Sequence, residues 1–146
     1  MRFSPLPMQL FQQTLANWRQ WNTGCDELAA QPTLVRELIG GLTNRSFLVA
    51  SGDFKAVVRI NALNSTDLGV DRQREGLILK LLQPTGAVPK VLYQSDEVLV
   101  SVFHEGRHWG EDDSRSPEQL TALKQLLQRI QEVDATQLQR RNYVQY

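Results

Sequence analysis

The chain has 146 residues, 41% hydrophobic and 22% charged, a composition that suits one globular domain or one and a half small lobes and lies well away from that of a disordered chain. Sixteen basic and sixteen acidic residues cancel, which argues against a broad nucleic-acid footprint and leaves room for a local basic patch that serves a nucleotide. A single cysteine, Cys25, excludes an internal disulfide and a cysteine-built metal cluster, and no apolar run approaches the roughly 18 residues of a membrane span.

Pro5 and Pro7 interrupt the start where a secretory leader would need an unbroken apolar stretch, so the sequence reads as cytoplasmic. From Met8 to Trp21 the residues Leu10, Phe11, Leu15, Trp18 and Trp21 recur at three- and four-residue steps. That is the period of a helix with one buried stripe, with Pro7 in its first turn and Gly24 just past its end. Cys25 to Pro32 is a connector. Three strands are expected next, roughly Thr33 to Ile39, Ser46 to Ala50 and Phe54 to Ile60, joined by short turns into a meander. In the third, Ala56, Val58 and Ile60 share one face, so Arg59 projects from the other. A polar loop over 61–69, with Asp67 as its cap, leads to a helix from Val70 to Gln83. Leu77, Ile78, Leu81 and Leu82 form its apolar stripe, Glu75 stands off it, and Asp71, Arg72 and Arg74 read as solvated charges. Val88 to Tyr93 and Val98 to Phe103 form a second hairpin, the latter strand apolar on both faces and therefore central. The polar stretch 104–116 reads as a flexible boundary. Ser116-Pro117-Glu118-Gln119 then starts a last helix, whose stripe runs through Leu120, Leu123, Leu126, Leu127, Ile130 and Val133.

The chemistry concentrates between the first two strands. Gly40-Gly41-Leu42-Thr43-Asn44-Arg45-Ser46 is a glycine-rich turn whose backbone could lie flat against an anion, with Thr43, Asn44 and Ser46 as donors for phosphate oxygens. The alternative is a hairpin turn whose glycines serve only the backbone. A glycine loop, a strand-borne cation at Arg59 and a helix-borne carboxylate at Glu75, in that order, are the parts with which kinases hold ATP. The glycine string, Val58-Arg59-Ile60, Asp71-Arg72 with Arg74-Glu75, Val88-Pro89-Lys90 and Phe103-His104-Glu105-Gly106 together resemble the N-terminal half of the choline/ethanolamine kinase and aminoglycoside phosphotransferase superfamily. The Gly-Gly-Leu-Thr-Asn string is nearest to choline and ethanolamine kinases.

The resemblance implies an α+β, protein kinase-like N-lobe with an antiparallel sheet of about five strands and one packed helix. An N-terminal helix and connector would occupy 1–32, the ATP-binding lobe 33–104, and the hinge with the first helix of an incomplete C-lobe 105–146. It further implies that Gly40, Gly41, Leu42, Thr43, Asn44 and Ser46 cover the phosphates and that Arg59 contacts them with Glu75 as its partner. The carbonyl of Val102 and the amide of His104 would meet adenine. The side chains of His104 and His108 are expected to face solvent. Family members place the catalytic base in a His-x-Asp loop, followed by an Asn and a magnesium-binding Asp. This sequence has no His-x-Asp. The expectation is therefore an ATP-binding lobe truncated before its catalytic loop, inactive alone. It implies ATP and magnesium for the intact enzyme, which would phosphorylate choline, ethanolamine, thiamine or a similar small alcohol. The 116–134 helix would then cover itself by dimerisation or with the missing C-lobe. Two alternatives stay open: a non-catalytic nucleotide-binding or interaction module, and a plain α+β scaffold whose glycines are merely turns.

Overall fold

Runs of alternating β-branched and apolar residues build one antiparallel sheet in the computed structural model, which describes residues 7–21, 28–39, 44–62 and 69–138. The strands are β1 (Thr33–Leu38), β2 (Arg45–Ser51), β3 (Phe54–Ile60), β4 (Val91–Gln94) and β5 (Val98–Val102), in spatial order β1-β2-β3-β5-β4. Two compact units emerge, Met1–Gln73 with Pro89–His104, and Arg74–Val88 with Glu105–Tyr146. The sheet lies wholly in the first.

Register decides which side chains face the core. Phe47 is opposite Val58, which is opposite Val100, and all three are buried. One step along, Ser46, Arg59 and Leu99 align across the same three strands, so the period of two sends them to the other face. Gly52 closes the β2–β3 turn at φ +59, a left-handed conformation that a Cβ would strain.

The buried face is covered by α1 (Pro7–Ala16), whose Leu10, Phe11 and Leu15 join Trp21, Leu28 and the sheet in one apolar cluster. The Phe11 and Phe47 rings tilt together with centroids 4.4 Å apart. Pro7 does open the helix, but the expected continuous helix to Trp21 is not formed. A 3₁₀ turn over Trp18–Gln20 replaces its last turn, with Gln20 N donating to Asn17 O and Trp21 N to Trp18 O. The tighter winding carries Trp21 into the core and leaves Trp18 half-buried beneath the Arg19 guanidinium. Gly24, Cys25 and Asp67 lie outside the described residues.

In the second unit, α2 (Arg72–Leu82, its first two residues belonging to the first unit) ends in a 3₁₀ turn over Gln83–Thr85 that packs on α3 (Pro117–Gln131). Gly86 stops it at φ +71. Leu77, Ile78, Leu81 and Leu82 were expected to be buried and are only half-buried. A unit of two helices and short turns has too little volume to enclose a side chain on every side. Ser116 caps α3 as the sequence indicates, Oγ accepting from Gln119 N, with Pro117 at the first position. Leu126, Ile130 and Val133 are half-buried, whereas Leu120, Leu123 and Leu127 are 45%, 37% and 49% exposed.

The polar stretch 104–116 carries an ion pair of its own with a buried acid. Arg107 Nη1 and Nη2 donate to the two carboxylate oxygens of Asp113 at 2.5 Å each, and Gly110 N donates to Oδ2 at 2.7 Å. Asp113 is buried, and these donors hold its carboxyl at about 2, well below its ordinary value. A charged residue in a polar run can therefore be a local core. Among the described residues, no helix is long and apolar enough to cross a membrane.

Candidate functional site

Arg59 is half-buried near the end of β3, on the sheet face opposite Val58 and Ile60. Its Nε donates to Asn61 Oδ1 at 3.0 Å. Asn61 is itself buried: Nδ2 donates to Asp96 O at 2.9 Å, and the backbone N donates to Glu97 O at 2.8 Å. The guanidinium is thus held by an amide that is anchored twice to the β4–β5 turn, which fixes its direction before any ligand arrives. Ser46 lies directly across from Arg59 in register, and its hydroxyl shares that face.

Asn44 ends the glycine-rich segment. Its Oδ1 accepts from Ala62 N at 3.0 Å and from Arg72 Nη2 at 3.1 Å, and Gln94 Nε2 donates to the carbonyl of Arg72 at 3.0 Å. The first turn of α2 is in this way tied to β2 and β4. Arg72 was expected to be a solvated surface charge. It is half-buried, and the Asn44 amide offers its Nη2 a polar partner that offsets part of the desolvation. Asn44, read from the sequence as a donor to phosphate, has its oxygen engaged as an acceptor, which leaves Nδ2 as its donating group.

Arg45 Nε and Nη2 donate to Glu37 Oε1 and Oε2 at 2.8 and 3.0 Å. The guanidinium keeps the Glu37 carboxyl below its usual range. This exposed pair joins the last residues of β1 to the first of β2, so it pins both ends of the turn rather than the sheet's stability. Gly40, Gly41, Leu42 and Thr43 lie outside the described residues.

At the end of β5, Phe103 N donates to Lys55 O at 3.0 Å. By the alternation of an antiparallel ladder, the backbone groups of Val102 turn away from β3, and its amide donates to Lys90 O at 2.9 Å. Val102 is half-buried; His104 and His108 are exposed, as expected. Glu75 occupies the first turn of α2 in the second unit and is half-buried. The structure therefore gathers Asn44, Ser46 and Arg59 at one end of the inner strands β2 and β3. It adds Asn61 and Arg72, which the sequence reading did not select. Asn61 had a legible signal, as a polar residue two positions beyond Arg59 at a strand end, while Arg72 stood in the Asp71-Arg72 string of the resemblance but read as a solvated charge.

Such an arrangement presents cationic and amide donors with little conformational freedom, a set suited to gripping an anion. Among the described residues, no group of three or more His, Cys, Asp or Glu side chains comes together to hold a metal ion.

No protein-family profile and no curated protein matches the sequence. Among solved structures, the chain is similar to the streptomycin-ATP-APH(2")-IIa ternary complex, with 17% identity over 92% of this chain and 43% of that one, at a TM-score of 0.58. It is also similar to a Plasmodium vivax ethanolamine kinase, with 18% identity over 62% of this chain and 24% of that one, at a TM-score of 0.49. The chain spans less than half the length of these structures. At such identities the likeness is one of fold. The five-stranded antiparallel sheet with its helices has the fold of a protein kinase-like N-lobe.

Proposed function

We propose that this chain is the nucleotide-binding lobe of an ATP-dependent small-molecule phosphotransferase. The observation that carries the reading is Arg59, a strand-borne cation whose direction is set by Asn61, at the strand end that the Asn44 end of the glycine-rich segment also reaches. In this reading Arg59 contacts the inner phosphates of ATP, a task for which a permanently charged planar group is well fitted. Gly40, Gly41, Leu42 and Thr43 cover the phosphates together with Asn44 and Ser46, and Glu75 of α2 pairs with Arg59. The Val102 carbonyl and His104 amide receive the adenine edge; the turning of Val102 away from β3 supports the first of these.

Phosphoryl transfer is chiefly positioning and charge neutralisation, so the residues present account for holding the nucleotide and not for activating an acceptor. The absence of His-x-Asp from the sequence supports assigning the base and the magnesium ligands to a C-lobe outside these residues. The intact enzyme would then transfer the γ-phosphoryl to a hydroxyl of choline, ethanolamine, thiamine or a similar small alcohol in the cytoplasm, and this chain alone would not turn over. The same absence favours a second reading, a non-catalytic nucleotide-binding or interaction module. In both, the exposed leucines of α3 need a cover, from a second copy or a C-lobe.

Calorimetric titration with ATP tests the common premise. Saturable binding that Arg59→Ala weakens about tenfold, with the far-ultraviolet dichroism unchanged, supports it. Binding indifferent to Arg59→Ala overturns the assignment. Tight binding by the chain alone favours the module, and weak binding favours half a cleft.

A further inference from the structure

Asn44 and Arg72 meet across 28 positions of sequence, Oδ1 of the first accepting from Nη2 of the second at 3.1 Å. We propose that Arg72 is a positioning residue for the anion site: it holds the Asn44 amide so that the NH₂ end, and not the oxygen, meets phosphate. The inference rests on the nucleotide reading and adds to it what makes the end of the glycine-rich segment select an anion. Asn44 stands two positions before Ser46, the residue paired with Arg59, so the amide belongs to the same end of β2 and β3.

An asparagine amide is ambivalent. One end accepts hydrogen bonds and the other donates them, and the two are nearly alike in size, so an unrestrained side chain could offer either to a ligand. Here the neighbours decide. Ala62 N donates to Oδ1 at 3.0 Å and Arg72 Nη2 at 3.1 Å, and a backbone N–H and a guanidinium have no lone pair to give in return, so only the oxygen can face them. The amide is planar and its ends diverge, which turns Nδ2 away from both donors. Reversing it would break two bonds and set an NH₂ group against an N–H and a cation. The bond to the charged partner is the stronger of the two, so Arg72 contributes more of the preference than Ala62. Both holders are themselves fixed. Ala62 follows Asn61, which is bound through side chain and backbone to the β4–β5 turn, and the Arg72 carbonyl accepts from Gln94 Nε2 at 3.0 Å. The donors therefore stand in place before a ligand arrives.

Titration of the ¹⁵N-labelled full chain with ATP and with adenosine tests this. The Asn44 side-chain NH₂ resonances should shift saturably with ATP and stay in place with adenosine, which carries no phosphate. Asn44→Asp keeps an oxygen for Ala62 N and gives Arg72 a charged partner, so the melting temperature should hold or rise. Its second carboxylate oxygen replaces the donor, and ATP affinity should fall at least about tenfold. An asparagine with a merely structural role would lose no affinity in that variant. Arg72→Met should weaken ATP about threefold, and the helix start stays attached because Gln94 bonds the main chain of position 72. In an Asn44→Ala background the same change should cost less than about twofold, because Arg72 acts through the amide. A lower melting temperature or unaltered affinity in Asn44→Asp, or equal losses from Arg72→Met in the two backgrounds, would overturn the proposal and leave the Arg59 assignment standing. No saturable ATP binding by the wild-type chain would overturn both.

Discussion

Replacing Asn61 with alanine removes two side-chain hydrogen bonds at once, the one it accepts from Arg59 Nε at 3.0 Å and the one it donates to Asp96 O at 2.9 Å. Asn61 is 5% exposed, so water does not readily replace either. A neutral hydrogen bond contributes roughly 1 kcal/mol and one to a charged group roughly 1.5–3, which together predict a loss of about 2.5–4 kcal/mol. With urea slopes of roughly 1–3 kcal/mol per molar for small proteins, the unfolding midpoint should fall by at least about 1 M. Circular dichroism in a urea series reads this directly. A double-mutant cycle with Arg59→Ala should return a coupling of about 1.5–3 kcal/mol, because each single change already breaks the shared bond. ATP binding should weaken in Asn61→Ala although the guanidinium is still present, since its direction is no longer fixed. A midpoint shift below about 0.3 M, within extrapolation error, together with a coupling near zero, would refute the claim that Asn61 holds Arg59 in place.

Other parts of the structure give equally definite expectations. Phe47→Ala empties a position 1% exposed and stacked on Phe11, and should cost about 3–5 kcal/mol, with the melting temperature falling accordingly. The Asp113 carboxyl has its folded-state value lowered from 3.8 to about 2 by Arg107 and Gly110, so its stabilising contribution is complete above pH 3.8 and lost as the pH falls through 2. The Gly110 amide resonance should track that loss, Asp113→Asn should flatten the acid limb of stability, and a midpoint near 4 would contradict the contact. Leu123→Glu with Leu127→Glu changes two exposed positions on α3 and should move stability by less than about 0.5 kcal/mol. Sedimentation should show reduced self-association, and a wild-type chain that is a stable monomer throughout would remove the need for a cover on this face.

The sheet was legible because its signal is local and repeated. Ala56, Val58 and Ile60 alternate cleanly with Lys55, Val57 and Arg59, and a one-residue slip would bury the guanidinium, so sequence and register agree without knowledge of the rest of the chain. The Ser116-Pro117 helix start was legible for a similar reason: a cap and its first turn lie within four residues. The Trp18–Gln20 turn was not. Its aromatic spacing fits a continued helix, and only the geometry of packing Trp21 against the sheet selects the tighter winding.

The site residues divide along the same line. Arg59 could be found because strand periodicity alone sends it away from the core. Arg72 and Asn44 could not be paired from sequence, since 28 positions separate them and each, taken alone, is an ordinary polar residue near an element's end. What joins them is a shared acceptor: Asn44 Oδ1 takes the amide of Ala62 just beyond β3 and the guanidinium of Arg72 at the start of α2. One oxygen thereby connects the end of the glycine-rich segment to the strand that carries Arg59 and to the helix that carries Glu75. Asn61 thus sets where the Arg59 guanidinium points, and Arg72 fastens the start of α2 to Asn44. Positioning of this kind is encoded by long-range hydrogen bonds rather than by any periodicity along the chain.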